Sequence, residues 1–283
     1  TWSGTNVYVD AGCTAQLDGN FSTTTGAATF GVIVNGTLIC PAAYMVNGTR
    51  VFTLNSGATL VVAISTGING AITTTGTKTF STGANYTFNG TVAQVTGTYL
   101  PVALVAPSTL TVSNSAGVTL SQTTATTGTL AFTSGILNTT AAYTMSTPGT
   151  ATAVTGAGPA SYVNGTLIKD ITGFTTVNYE VGDLDYAPMS LSFSTAGTAG
   201  SIGLMTTNGL HPSVGSSGLS TSFMANHYWT ITNIGAAGPT TVTPTATYNA
   251  VDIIGGSNSA FVTQEYASSC LLYTSPSPRD QRG

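Results

Sequence analysis

The densest group of ionisable side chains in this chain is a short acidic stretch that contains Glu180, Asp183 and Asp185. Carboxylate oxygens on a turn are ligands that Ca²⁺ takes in proteins, so these three residues are weak candidates for a calcium site. Calcium loops supply more oxygen ligands in a tighter pattern, and the alternative is a solvated turn or a partner for Lys169. In glycoside hydrolases the two catalytic carboxylates lie on opposite sides of the scissile bond. Carboxylates at adjacent positions of one turn are unlikely to take such opposed positions, so a glycosidase site is disfavoured here.

The other side chains that could carry out chemistry are few and widely spaced. The chain has two histidines, His211 and His227, whose spacing is unlike that of a two-histidine metal site, so we expect both at the surface or in a turn. Serines are abundant, but no Gly-x-Ser-x-Gly elbow in an apolar strand context is present. Cys13 and Cys40 could form a disulfide in an exported protein or could be two small buried thiols, and both alternatives stay open. The sequence therefore predicts no catalytic residue, no cofactor and no enzymatic activity.

One aromatic residue is a candidate for contact with a sugar. Tyr228, Trp229 and Ile231 lie in one strand-like segment, and side chains alternate between the two faces of a strand. We expect Trp229 and Ile231 to face the core, which leaves Tyr228 on the opposite face. An exposed tyrosine ring there could stack on a sugar ring, so Tyr228 is a weak carbohydrate-binding candidate.

A long part of the chain contains no charged side chain. No Asp, Glu, Lys, Arg or His occurs from Thr79 to Ile168, and the whole chain has 5 basic and 9 acidic residues among 283. General acid–base catalysis and carboxylate metal sites need such groups, so this part is close to excluded from most enzyme chemistry. The net charge of −4 argues against nucleic acid and anionic membrane surfaces as partners. Polar residues interrupt the run too often for a membrane-inserted helix.

The composition predicts an all-β fold. Thr, Val, Tyr, Phe and Ile pack well on a pleated sheet, and no segment keeps apolar residues at helical spacing over three turns. Short apolar runs recur about every 20 residues, as at Leu38, Leu60 and Phe80 and again at Leu110 and Leu130. Such a period predicts the stacked coils of a parallel β-solenoid, with a sandwich of β-hairpins as the alternative.

The composition of the sequence changes near Ala157, because most of the charged residues lie after this position. Longer strand-like runs then follow at wider spacing, which is typical of an antiparallel sandwich. We expect a parallel β-helix over residues 1–156 and a truncated β-sandwich-like module over 157–269. Residues 270–283 look like a translated sequencing adapter, which we expect to be an artefactual tail on a metagenomic fragment. The chain begins at Thr1 without Met, as a mature or truncated fragment does.

Several segments resemble parts of large secreted surface proteins of Bacteroidota. These segments are Thr77–Gly97, Leu110–Leu120, Ser161–Gly165, Val181–Asp183, Thr207–Gly209 with His211-Pro212, and Asn226–Ile231. The resemblance implies a right-handed parallel β-helix followed by a β module, export by type IX secretion, and a location outside the cell. That group usually has Arg where this chain has Ala187 and His227, which implies that a contact of those cations with the acidic turn is lost or weakened here.

These features together predict a non-catalytic structural and adhesive segment of an exported protein, either secreted or at a bacterial cell surface. We expect its partner to be carbohydrate or a neighbouring surface protein. Two other functions stay open. Many parallel β-helices are polysaccharide lyases or hydrolases, which need carboxylates and Lys or Arg along one solenoid face. Alternating threonines such as Thr73, Thr75, Thr77 and Thr79 could order water and bind ice, provided that the same motif recurs in register on successive coils.

Overall fold

The computed structural model describes residues 6–24, 29–172, 176–193, 199–235, 242–255, 264–267 and 270–273. Its regular structure is almost entirely β, which confirms the all-β prediction. Within these residues, helix is limited to α1 (Ile68–Ala71) and two 3₁₀ turns, Val214–Ser216 and Ala250–Asp252. None of these helical segments is long enough to cross a membrane.

The strands are short and follow one another closely along the chain. Those of the first part are β1 (Val7–Val9), β2 (Thr14–Gln16), β3 (Phe21–Thr23), β4 (Gly31–Val34), β5 (Thr37–Cys40), β6 (Val46–Gly48), β7 (Val51–Leu54), β8 (Thr59–Val62), β9 (Lys78–Phe80), β10 (Asn85–Phe88), β11 (Gln94–Val95), β12 (Ala103–Leu104), β13 (Thr109–Ser113), β14 (Val118–Thr119), β15 (Thr124–Thr126), β16 (Thr129–Ser134), β17 (Leu137–Asn138), β18 (Met145–Pro148) and β19 (Val154–Thr155). The later strands are β20 (Val163–Asn164), β21 (Leu167–Ile171), β22 (Thr176–Tyr179), β23 (Val181–Gly182), β24 (Met189–Phe193), β25 (Gly200–Asn208), β26 (Met224–Ala225), β27 (His227–Ile234), β28 (Val242–Ala246), β29 (Ile253–Ile254), β30 (Gln264–Ala267) and β31 (Cys270–Tyr273).

The first part of the chain is a parallel β-solenoid of about 7 turns. Its long sheet has the strand order β19-β16-β13-β10-β8-β5-β2, and shorter sheets join β1-β4-β7-β9 and β11-β14-β17-β20-β23. All of these ladders are parallel, and paired residues lie between 18 positions (Val163 with Val181) and 26 positions (Leu60 with Tyr86) apart. Hairpins would give antiparallel pairs between consecutive strands, so the register supports the coil prediction and not the hairpin alternative.

The core of the solenoid is a set of stacked inward columns. In the long sheet one column runs through Leu38, Leu60, Tyr86, Leu110 and Leu130, all of them buried. The predicted repeat is right at four of these positions, but Tyr86 continues the column where Phe80 was expected. The reason is the length of that coil, which contains α1 and separates Leu60 from Tyr86 by 26 positions, more than the predicted period.

Stacking in register also explains why the coils carry so few charges. Parallel pairing places each outward side chain directly beside the outward side chain of the next coil, as Thr87 lies beside Thr111. Like charges at directly opposed positions destabilise a sheet, and a column of them would repeat that repulsion at every coil. Neutral Thr, Ser and Asn keep the outer surface hydrated without this cost.

Antiparallel pairing begins where the solenoid ends. Strand β21 pairs in parallel with β18 on one side and antiparallel with β25 on the other, and β25 then pairs antiparallel with β27. A separate antiparallel sheet has the order β22-β24-β28. Parallel ladders continue to β23, so the boundary predicted at residue 157 stays a prediction. Residues 274–283 of the expected artefactual tail lie outside the described residues.

Candidate functional site

The three carboxylates of the acidic turn point to three different partners. Glu180 Oε2 lies 2.6 Å from Lys169 Nζ, which agrees with the alternative that this stretch supplies a partner for Lys169. Asp183 Oδ2 accepts a hydrogen bond of 3.1 Å from the backbone N–H of Asn208. The carboxylate of Asp185 lies beside His227 instead. The proposed calcium role of this trio therefore stays a prediction, and each carboxylate has a separate structural role.

The pair formed by Lys169 and Glu180 is almost removed from solvent. The side chain of Lys169 is 2% exposed and that of Glu180 is 15% exposed. Burial lowers the pKa of Lys169 below its ordinary value, although the attraction and the hydrogen bond of Glu180 act in the opposite direction. The ammonium also lies 5.9 Å from the ring centroid of Tyr179. The side chain of Lys169 is therefore buried and paired at the end of the solenoid, and it does not face an open groove.

Asp185, His227 and Asp252 form a second cluster of ionisable side chains. The Nε2 atom of His227 lies 3.3 Å from Asp185 Oδ1, and its Nδ1 atom lies 3.5 Å from Asp252 Oδ1. The imidazole is completely buried, and Asp252 is 5% exposed. Neither ring nitrogen makes a hydrogen bond with any described residue, and neither does Asp185 Oδ1. A buried imidazole thus lies between two carboxylates without hydrogen bonds to them.

Three separate parts of the chain bring these residues together. Asp185 follows β23 in a turn, His227 begins β27, and Asp252 ends the 3₁₀ turn after β28. Asn249 connects the two acidic residues, because its side-chain amide donates to Asp185 Oδ2 and its backbone N–H donates to Asp252 Oδ2 at 2.8 Å. The same backbone bond belongs to a capping box between Asn249 and Asp252, which fixes the start of the turn.

Sequence reasoning found only one member of this cluster as a candidate site residue. Asp185 was placed in a calcium trio, His227 was expected at a surface or turn, and Asp252 was not considered. The expectation for His227 is wrong, because its imidazole is inaccessible to solvent. No local spacing indicates the cluster, because its members are joined only by tertiary contacts. The one sequence signal was Asn249 followed three residues later by an acidic residue, which is a capping pattern.

Tyr228 lies on a partly exposed aromatic surface. Its ring meets that of His211 edge to face, with centroids 5.0 Å apart, and His211 lies 4.9 Å from the ring of Tyr266. Trp229 packs against the core as expected and donates its indole N–H to Ala187 O at 2.8 Å. The expectation for Ile231 was wrong, because this side chain is 47% exposed. The strand β27 extends beyond the core beneath it, so alternation no longer separates buried from solvated residues.

The outer face of the long sheet carries two rows of neutral side chains, and we name it the threonine face. One row contains Thr14, Thr37, Thr59, Asn85, Thr109 and Thr129, and the other contains Gln16, Ile39, Val61, Thr87, Thr111, Ala131 and Thr155. Asn85 links its neighbours, since its Oδ1 accepts the N–H of Thr109 at 2.9 Å and its amide donates to Thr59 Oγ1 at 3.4 Å. No charged residue occurs in either row.

The threonines singled out from the sequence lie elsewhere. Thr73, Thr75, Thr77 and Thr79 are all exposed, and of these only Thr79 belongs to a strand, where it pairs with Thr53. The in-register requirement for a threonine array is instead met in part by the threonine face. This array was not visible in the sequence because its members are one coil apart and the coils differ in length.

Cys13 and Cys40 are free thiols, so the disulfide alternative is wrong, and the alternative of two buried thiols is right only for Cys40. Cys13 is exposed, whereas Cys40 is buried in the core, where burial raises the pKa of its thiol to about 12.

A scan against protein-family models and searches of curated proteins and of solved structures found no match for this chain.

Proposed function

We propose that this chain is a non-catalytic structural and adhesive segment of an exported surface protein, and that it contacts neutral carbohydrate. The observation that carries this proposal is the threonine face, which extends across seven parallel strands without a charged side chain. Threonine supplies both a hydroxyl, which donates and accepts hydrogen bonds, and a methyl group. A polysaccharide chain presents the complementary groups, namely hydroxyls on its edges and C–H groups on the faces of its rings.

The non-catalytic part of the proposal is supported by where the ionisable groups lie. Lys169 and Glu180 pair with each other, and the imidazole of His227 is inaccessible. The coils from Thr79 to Ile168 contribute no acid or base to any groove. A lyase or hydrolase needs such groups beside its substrate, because proton transfer requires hydrogen-bond distance.

The adhesive part is tested by co-sedimentation of the purified chain with insoluble neutral polysaccharides, together with a glycan array. We expect binding that the variant Thr59→Lys/Thr111→Lys weakens by about tenfold or more, because a lysine placed under a bound neutral chain is desolvated without a partner. Thr53→Lys is the matched control, since Thr53 is an equally half-buried outward residue on a different sheet. Absence of binding to every glycan, or equal loss in the control, would remove adhesion by this face.

The same samples test the enzymatic alternative. Soluble oligosaccharides released during incubation with the polysaccharides would contradict the non-catalytic assignment. We expect none to be released by the wild-type chain over the time in which binding reaches equilibrium.

A second function, ice binding, is favoured by one specific observation. Threonines recur in register on successive coils of the threonine face, at Thr37 and Thr59, at Thr87 and Thr111, and at Thr109 and Thr129. Neighbouring strands are about 4.8 Å apart and alternate residues along one strand are roughly 6.6 Å apart, which gives a two-dimensional grid of hydroxyl and methyl groups. Thermal hysteresis that disappears in the double lysine variant and persists in the Thr53 control would assign this face to ice.

A further inference from the structure

We propose that His227 and Asp185 bind one divalent transition-metal cation and that Asp252 orients the imidazole. Each residue offers one ligand atom, and the three atoms lie within 4.8 Å of one another. Metal–ligand bonds to nitrogen and oxygen are about 2.0–2.2 Å long, so one cation can join His227 Nε2 and Asp185 Oδ1, which lie 3.3 Å apart. This site shares only Asp185 with the calcium trio considered from the sequence, and it differs in containing a nitrogen ligand.

The distance between His227 Nε2 and Asp185 Oδ1 fits two ligands of one metal ion and is longer than a hydrogen bond between charged groups. The contacts of His227 with the two carboxylates are 3.3 and 3.5 Å long. Hydrogen bonds between a charged imidazole and a carboxylate are shorter, about 2.7–2.9 Å. Two ligand atoms of one tetrahedral or octahedral ion lie roughly 3.0–3.5 Å apart when the metal–ligand bonds are about 2.0–2.2 Å long. The contact between His227 Nε2 and Asp185 Oδ1 has this separation.

The absence of hydrogen bonds at His227 supports the same conclusion. Its imidazole is fully buried, and neither nitrogen is satisfied by any described residue. A buried polar group without a partner costs about 1–3 kcal/mol, so native structures rarely leave one in this state. Coordination to a metal through one nitrogen would satisfy it.

The charge of the cluster also calls for a cation. Two carboxylates meet there, and in the described part of the chain neither forms an ion pair with a lysine or an arginine. Asp252 is 5% exposed, so water cannot solvate its charge fully. A divalent cation would neutralise both carboxylates, whereas a protonated imidazole would neutralise only one.

The surrounding hydrogen bonds assign different roles to the two carboxylates. The side chain of Asp185 is 24% exposed and that of Asp252 is 5% exposed, so the open side of the imidazole is the side of Nε2 and Asp185. We assign Nε2 and Asp185 Oδ1 to the metal, and Asp252, whose Oδ1 lies 3.5 Å from Nδ1, to orienting the ring. A histidine ligand normally donates its second N–H to such a carboxylate. Asn249 holds both carboxylates in place by donating to the second oxygen of each.

A mixed nitrogen and carboxylate site selects a particular class of ion. Ca²⁺ and Mg²⁺ prefer oxygen ligands alone, whereas imidazole suits Zn²⁺, Ni²⁺ and Fe²⁺ and tolerates Mn²⁺. Bound there, the ion would join the turn after β23, the start of β27 and the 3₁₀ turn at Asp252. It would thereby connect segments that belong to separate sheets at the end of the solenoid.

The presence of only two histidines makes a direct test possible by NMR of the wild-type chain. Substoichiometric paramagnetic Mn²⁺ should broaden the ring signals of His227 and leave those of His211 sharp, and excess Zn²⁺ should restore them. The variant His211→Gln assigns the signals. Equal broadening of both rings, or of neither, would overturn the site without requiring any variant in the cluster to fold.

Calorimetric titration with Zn²⁺ provides the second measurement. It uses a Cys13→Ser background, because the exposed thiol is an independent zinc ligand. We expect the wild-type site to bind one Zn²⁺ per chain and His227→Gln to bind none. Asp252→Asn should lower the affinity for Zn²⁺ by about 10- to 100-fold, because it removes the carboxylate that orients the imidazole. Ca²⁺ should not compete. Binding that His227→Gln leaves unchanged would contradict the assignment, as would Ca²⁺ displacing Zn²⁺.

Discussion

Replacing Glu180 by Gln tests whether the buried pair with Lys169 holds the end of the solenoid together. The substitution keeps the shape of the side chain but removes its charge, which leaves a 2% exposed ammonium without a counter-ion. Removing one partner of a buried ion pair typically costs about 3–5 kcal/mol, whereas an exposed pair contributes about 1 kcal/mol or less. We expect Glu180→Gln to lower the free energy of unfolding by about 3 kcal/mol or more.

The pH dependence of this loss has a defined sign. Burial lowers the pKa of Lys169 in the folded chain below the ordinary value of 10.5. At a pH between the folded-state pKa and 10.5, the unfolded chain therefore binds more protons than the folded chain. Stability contributed by this group therefore rises with pH over that window. Without Glu180, the interactions that raise this pKa are gone, and the window extends to lower pH. The deficit of Glu180→Gln relative to wild type should therefore shrink as the pH rises from neutrality towards the ordinary lysine value of 10.5.

Urea unfolding followed by circular dichroism at several pH values measures both effects. The double variant Lys169→Met/Glu180→Gln removes both charges and should recover most of the lost stability, because replacing a buried pair by neutral groups is often close to neutral. Asp170→Asn is the matched control, since Asp170 is exposed and accepts a 2.7 Å hydrogen bond from Ser201 Oγ. A loss below about 1 kcal/mol in Glu180→Gln, equal to that of the control, would refute the reasoning.

Two further predictions concern the interior of the coils. Gly135 has φ of +86° and a Cβ there would lie 1.7 Å from a backbone carbonyl oxygen of the neighbouring coil, so Gly135→Ala should cost about 2 kcal/mol or more in the same assay. Gly19→Ala, where a Cβ meets nothing within 4 Å, should change stability by less than about 0.5 kcal/mol; similar losses in both variants would contradict the steric argument. In a Cys270→Ser background, a thiol reagent at about pH 8 should modify Cys13 rapidly and Cys40 only after unfolding, because burial raises the pKa of Cys40 to about 12. Rapid modification of two thiols in the folded chain would show that Cys40 is accessible.

The fold could be predicted from the sequence where the chain repeats a simple pattern. Leu38 and Leu60, and later Leu110 and Leu130, occupy one buried column, because these two coils are close to the predicted period of the repeat. The pattern failed at Phe80, where the extra residues of α1 shift the next column member to Tyr86. Period counting assumes a constant coil length, and a local insertion breaks that assumption without any signal in the neighbouring residues.

The candidate site could not be predicted in the same way. Asp185 stood out because it lies close to other acids in the sequence, but its contacts in the fold are with His227 and Asn249. Those contacts depend on how the later strands pair antiparallel after the solenoid ends. Sequence reasoning about short segments detects local ligand patterns, and this cluster has none.

The distribution of charge follows from the two kinds of pairing in the chain. In the coils, parallel register places equivalent positions side by side, so any charge that recurs would face its own kind on the next coil. After β21 the strand pairs are antiparallel except for β20 with β23, so equivalent positions of a repeat no longer lie side by side. Opposite charges and polar groups can then be brought together, as in Lys169 with Glu180 and in the cluster around His227. Ionisable residues are therefore concentrated where the repeating coils end, and they connect segments that no stacked column can align.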